Sequence, residues 1–338
     1  MQLRFLSLTL LILAQSSLAH HSFAPHFDSS RPVTIVGTVT EFEQRNPHAY
    51  LHISAQDADG QTHEYVCESH GVTQLSRNGI TPEMLAVGTE LRVDGSQHRR
   101  DPYMCFFQTV HLADGRVLDV NGSRRPRAAQ PQVAQRDSIY GTWLLMPANR
   151  STSGPNVMMN FLSSAGEQAV ANYDPFVDDP TFRCEPVSPR RVWFAPGTPM
   201  SIRRAGDTIY LRHEWMDVER AVHLDMDEHP QEGERSLLGH SIGHFEEDTL
   251  VIETANFTEG VLRQYIEQEN GPTLGMLHSE AFTVVERISF DAESNSISVS
   301  IQQDDPVYFT RDFNVASAQY AASDLEIQPF GCIPEILK

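Results

Sequence analysis

Positive charge is scarce in this chain of 338 residues: Lys plus Arg number 25 against 45 Asp plus Glu, a net charge of −20 at pH 7. Nucleic acid is bound by cations that displace condensed counterions, so this balance excludes it as a partner. It also disfavours docking on anionic lipid. Long apolar runs are scarce too. Beyond the first twenty residues no stretch is long enough to cross a bilayer, and no transmembrane helix is expected in the mature chain. Cysteine is limited to Cys67, Cys105, Cys184 and Cys332, with no C-x-x-C spacing, which argues against structural zinc. No G-x-S-x-G elbow occurs, so an α/β-hydrolase serine is not expected. No repeat of fixed period is present. Hydrophobic residues make up 40% of the chain, enough to build packed cores.

The single long apolar run opens the chain. Arg4 supplies a short basic region, Phe5–Ala14 an apolar one, and Ser17-Leu18-Ala19 the small residues that signal peptidase requires. Residues 1–19 read as a secretory signal, and the expected location is periplasmic or extracellular. Cleavage after Ala19 makes His20 the first residue, offering its α-amine and its ring to one metal ion, and His21 adds a second imidazole. Such nitrogen donors suit Cu(II) above other divalent first-row ions.

Residues 121–138 are polar and basic, carry two prolines and lack apolar periodicity, as a linker would. Before it, over 20–120, strands are expected at Val33–Phe42, Ala49–Ala55, Thr62–Cys67, Glu90–Gly95 and Met104–Val110. A helix is expected over 71–79, a short turn at Pro82–Leu85 and a last hairpin through Asp114-Gly115. Three strands, a helix and two more strands is the order of an OB-like small barrel. After the linker, over 139–338, strand and turn dominate. Strands are expected at Ile139–Leu145, Arg191–Phe194, Met200–Arg203, Thr208–Glu214, Arg220–Leu224, Thr249–Thr254, Phe282–Ile288 and Ser296–Ile301. Gly141-x-Trp143 also opens lipocalin-like barrels. About eight strands suit an antiparallel barrel or sandwich able to hold one small ligand. The fold class is therefore mostly β, in two domains. In an oxidising compartment the four cysteines read as two disulfides, and their positions on either side of the linker favour Cys67–Cys105 and Cys184–Cys332.

Of 15 histidines, nine lie between His20 and His111. His48, in Asn46-Pro47-His48-Ala49, joins the terminus best, because the proline stiffens the approach to a strand. His20 with His48 or His21 makes a three-nitrogen brace with open copper positions. The dipeptide His20-His21 alone could instead chelate copper inertly. His26, His52, His63 and His70 are further candidate ligands. In the second domain His240, His278, Glu280 and Glu286 are candidates for acid–base or ligand-binding work, since a carboxylate beside an imidazole fixes its tautomer and raises its basicity.

His20-His21-Ser22-Phe23, Pro32–Val39, Asn46-Pro47-His48-Ala49 and Asp57-x-Asp59-Gly60 together resemble an uncharacterised family of small exported bacterial proteins, over about residues 20–120. In that family the mature chain begins His-His-Ser and carries the same Asn-Pro-His element. The second half is similar to another uncharacterised bacterial family through Asp179-Pro180, Arg183-Cys184, Gly239–Glu246, Asp248–Thr254, His278-Ser279-Glu280 and Asp304-Asp305-Pro306. These resemblances imply export and a division near the linker, and they single out His20, His21 and His48. Three functional readings follow. The first is an exported copper-binding protein using His20 and His48 with His21, with oxidative chemistry as an option. The second is a small-molecule-binding or hydrolytic barrel. The third is a non-catalytic envelope interaction protein.

Overall fold

The computed structural model describes residues 26–120, 133, 135–152, 158–175, 177–186, 188–195, 197–231, 234–266 and 274–334. The expected signal, His20, His21 and most of the expected linker lie outside them. The first half forms strands β1 (Phe27–Glu43), β2 (His48–Gln56), β3 (Thr62–His70), β4 (Glu90–His98), β5 (Met104–Leu112) and β6 (Val117–Asp119). Helix α1 (Val72–Arg77) and a 3-10 turn at Pro82–Leu85 intervene between β3 and β4. The sheet order is β3-β2-β1-β4-β5-β6, and β3 also pairs in parallel with β5. That extra pairing closes β1–β5 into the small barrel expected of an OB-like order, with β6 paired outside the closure on β5. The Cys67–Cys105 disulfide links the closing pair.

Period-two patterning explains the ladder. On β2, Ala49, Leu51, Ile53 and Ala55 enter the core while Tyr50, His52 and Ser54 stand on the outer face. The connection after β3 bends into a helix of only six residues, shorter than the expected 71–79, and Leu75 is its buried anchor.

The second half adds β7 (Gly141–Thr152), β8 (Pro199–Ala205), β9 (Thr208–His213), β10 (Glu219–His223), β11 (His240–Glu246) and β12 (Thr249–Ala255). It continues through β13 (Gly260–Ile266), β14 (Leu274–His278), β15 (Thr283–Asp291), β16 (Ser296–Asp304) and β17 (Phe313–Ser323). Nine of these close a barrel in the order β10-β11-β12-β15-β16-β17-β7-β8-β9, and β13–β14 form a separate two-stranded ribbon. Trp143 is buried in this core and donates its indole N–H to the Ile139 carbonyl at 2.9 Å.

Three expectations change here. The barrel has nine strands rather than about eight. It is not wholly antiparallel: β10 and β11 run parallel, so they are not joined as a hairpin. The strand expected at Arg191–Phe194 belongs instead to helix α3 (Pro189–Trp193), begun by Ser188 with proline at its first helical position. A further helix, α2 (Ser164–Asn172), follows β7, its Ser163 cap accepting from the Gly166 N–H at 3.1 Å.

Sheet and barrel meet along a polar seam. Arg77 of α1 grips Glu214 with both guanidinium nitrogens, Nη2 to Oε2 at 2.6 Å, and the Gln328 N–H reaches the same Oε2 at 2.9 Å. Asp217 accepts from the Phe330 and Gly331 N–H groups at 2.9 and 3.1 Å. Asn46 donates from Nδ2 to the Phe330 carbonyl at 2.6 Å, and its own carbonyl accepts from Ile333. The Cys184–Cys332 disulfide ties down this same C-terminal strap.

Candidate functional site

The seam is built around Asn46-Pro47-His48, whose Asn46–Pro47 peptide is cis. Asn46 holds the start of α1, donating to Thr73 Oγ1 at 2.8 Å and accepting from the Thr73 N–H at 3.3 Å. His48 opens β2 and stands in register with His70, which closes β3. Directly opposed residues of an antiparallel pair share one face with Cβ atoms about 5 Å apart. By parity both lie on the sheet's outer face, yet each is only 6% exposed, because Thr198, Trp215 and Phe330 of the second half cover them.

His48 Nδ1 lies 3.4 Å from Glu68 Oε1, an arrangement that orients the imidazole. His70 meets the edge of Phe106, Phe106 meets Phe27, and Phe27 meets His26, with ring centroids 5.5, 5.6 and 6.3 Å apart. From across the seam comes Asp179, fully buried. Its Oδ1 accepts from the Thr181 N–H and hydroxyl at 2.9 and 2.6 Å, and its Oδ2 has no hydrogen-bond partner among the described residues. Burial lifts its pKa above the usual carboxylate range, against the Thr181 hydrogen bonds and the positive charges of Arg191 and His48.

Of the candidate ligands, the structure joins His48 and His70 and places His26 at the end of the aromatic line. His52 instead pairs with Glu43 at 3.0 Å, and His63 with Asp57 at 2.8 Å. Among the described residues no group of three or more His, Cys, Asp or Glu side chains is arranged to hold a metal ion. A centre built on His48 and His70 therefore requires another ligand from outside them.

The four candidates of the second half do not converge. His240 stacks on His223, rings 5.2 Å apart, and its Nδ1 faces His229 Nδ1 at 3.0 Å. Burial, then the neighbouring His229 and His223, holds its pKa below the usual histidine value. Glu280 is exposed and pairs with Arg235 at 3.6 Å. Glu286 is fully buried in the barrel, accepting from Arg220 at 2.8 and 2.5 Å and from the Trp193 indole. Only His278 borders a sizeable cavity, together with Tyr173, Ser188 and Glu259, which sequence reasoning missed. Nothing local marks those residues. They meet through the packing of α2 and the 180s segment on the β13–β14 ribbon.

Residues 9–103 match a family of unknown function (DUF6152), a span that ends just before β5. No curated protein matches the chain.

Proposed function

We propose that the protein is an exported copper-binding protein whose site joins the processed terminus at His20 to the His48–His70 pair. The observation that carries this reading is that pair: two opposed imidazoles, buried by the second half of the chain, one of them oriented by Glu68. Nitrogen donors with no thiolate favour Cu(II), and both nearby cysteines are spent on their disulfide. His20 lies six positions before His26, and six extended residues span at most about 20 Å. That reach allows the terminus to return along the aromatic line to His70. Two disulfides fit an oxidising compartment. His21 adds a further imidazole to the same donor set.

The test is a Cu(II) titration of protein beginning at His20, beside protein with one extra alanine before it and beside His48→Ala. Each change is expected to weaken binding by about 100-fold. If His48→Ala binds as tightly as the parent while the extended form does not, the copper sits on His20-His21 alone and the reading fails.

A further inference from the structure

A second site lies away from the seam, where α2 and the β13–β14 ribbon border an open cavity of about 600 Å³. That volume suits a small organic ligand. Helix α2 turns Ala165, Ala169 and Asn172 toward it, one face at helical spacing, and Val261 and Leu277 of the ribbon stand opposite. The wall is therefore partly apolar.

Several of its polar groups are buried. Tyr173 lies across the β14 backbone at Gly275, where a Cβ would overlap the ring, so only glycine allows the approach. Among the described residues the Tyr173 hydroxyl is buried without a hydrogen-bond partner, and so is the hydroxyl of Ser188, a residue only 2% exposed. Buried hydroxyls are normally paired, and leaving two unpaired beside the cavity costs stability that a ligand reaching them can recover. His278 is 1% exposed, with Nδ1 facing the Ser279 carbonyl at 3.1 Å. Donation there makes Nε2, the atom a Cβ at Gly260 would meet at 2.6 Å, the lone-pair nitrogen. Burial lowers the His278 pKa, which keeps that lone pair available near neutral pH. Tyr308 donates its hydroxyl to Glu259 Oε2 at 2.6 Å. Asp178 and Glu185 bring two more carboxylates, while the lining cation, Arg183, is already paired with Glu185 at 3.0 Å.

We propose that this cavity binds an organic ammonium, a small molecule with an apolar body and a protonated amine. Its lone-pair nitrogen and carboxylates accept hydrogen bonds, its two hydroxyls can do so, and an anion would face Asp178 and Glu259, which Arg183, paired with Glu185, does not offset. The net charge of −20 also concentrates cations at the surface.

The full chain, with EDTA present so that copper plays no part, is titrated calorimetrically at neutral pH with phenethylammonium, 2-phenylethanol and 3-phenylpropanoate. The ammonium is expected to bind at least about tenfold tighter than the alcohol, and the carboxylate not measurably. Glu259→Gln is expected to weaken the ammonium about tenfold and leave the alcohol unchanged. Tyr173→Phe should weaken both ligands while raising Tm, since it deletes an unpaired buried hydroxyl. A purely structural Tyr173 would not split affinity from stability in this way. Glu253→Gln, on the exposed face of β12, is the unchanged control. The proposal is overturned if the carboxylate binds as well as the ammonium, if none of the three binds at ~10 mM, or if folded Glu259→Gln binds the ammonium like the parent.

Discussion

His48 stands directly opposite His70 across the β2–β3 ladder, and the second half of the chain buries both on a face that a lone sheet would leave to solvent. Copper affinity should follow that register. His70→Ala is expected to weaken Cu(II) binding about tenfold or more. His52→Ala, four residues from His48 on the same face but paired with Glu43, should leave it unchanged. Equal losses in the two variants would point to diffuse imidazole binding.

Glu214 is fully buried and its charge is balanced by Arg77 from the other half of the chain. Arg77→Ala strands that carboxylate and is expected to cost about 3 kcal/mol, measured as the urea midpoint. Replacing both residues, as Arg77→Met with Glu214→Leu, should cost clearly less, because no uncompensated charge remains. A double variant weaker than Arg77→Ala would argue that the pair itself stabilises the seam.

Glu286 and Arg287 are neighbours on β15 with opposite surroundings. Glu286 is enclosed with Arg220 in the barrel, while Arg287 meets Glu246 at the surface. Arg220→Ala is expected to destabilise by about 3–5 kcal/mol. For Arg287→Ala the expected loss is under ~1 kcal/mol, falling further in high salt. Chemical denaturation of both variants measures the contrast, and comparable losses would contradict it.

His213 is held neutral inside the barrel, since burial and then the Arg220 charge push its pKa from 6.5 down to about 3. The unfolded chain takes up this proton near the model-peptide value while the native chain does not. Its contribution is therefore neutral to stability above that pH and increasingly unfavourable as the pH falls toward the native pKa. By about pH 4.5 the cost reaches about 3 kcal/mol. The parent should lose more stability than His213→Asn between pH 7 and 4.5, and identical pH profiles would refute the assignment.

The Cys184–Cys332 disulfide closes a separation of 148 residues and anchors the strap that carries Phe330 against the seam. Cys184→Ser with Cys332→Ser is expected to cost about 2–5 kcal/mol. Because Trp215 lines the same crevice as Phe330, the variant's tryptophan emission should shift to longer wavelength. An unchanged spectrum would mean the strap holds by its hydrogen bonds alone.

Much of the ladder was legible because alternation is local. Ala49–Ala55, Glu90–Gly95 and Ser296–Ile301 each show period-two burial inside the observed strands. Arg191–Phe194 misled for a physical reason: four residues with valine and aromatics suit either period, and Ser188-Pro189 upstream was the better guide. Strand β11 was obscured by glycine and histidine. The site was less legible still. Asn46-Pro47-His48 drew attention by itself, whereas His70 was one histidine among several until pairing set it across from His48. Tyr173, Ser188 and Glu259 carried no motif at all.

The amino-acid sequence by itself determined the mostly β character and the two disulfides, because side-chain alternation and cysteine position act through short range and simple count. Only the tertiary structure decided which faces are buried, that β10 and β11 run parallel, that Arg220 answers Glu286, and which histidine joins His48. Those relations link residues far apart in the chain, and they exist only once register and packing bring the two ends of each contact together.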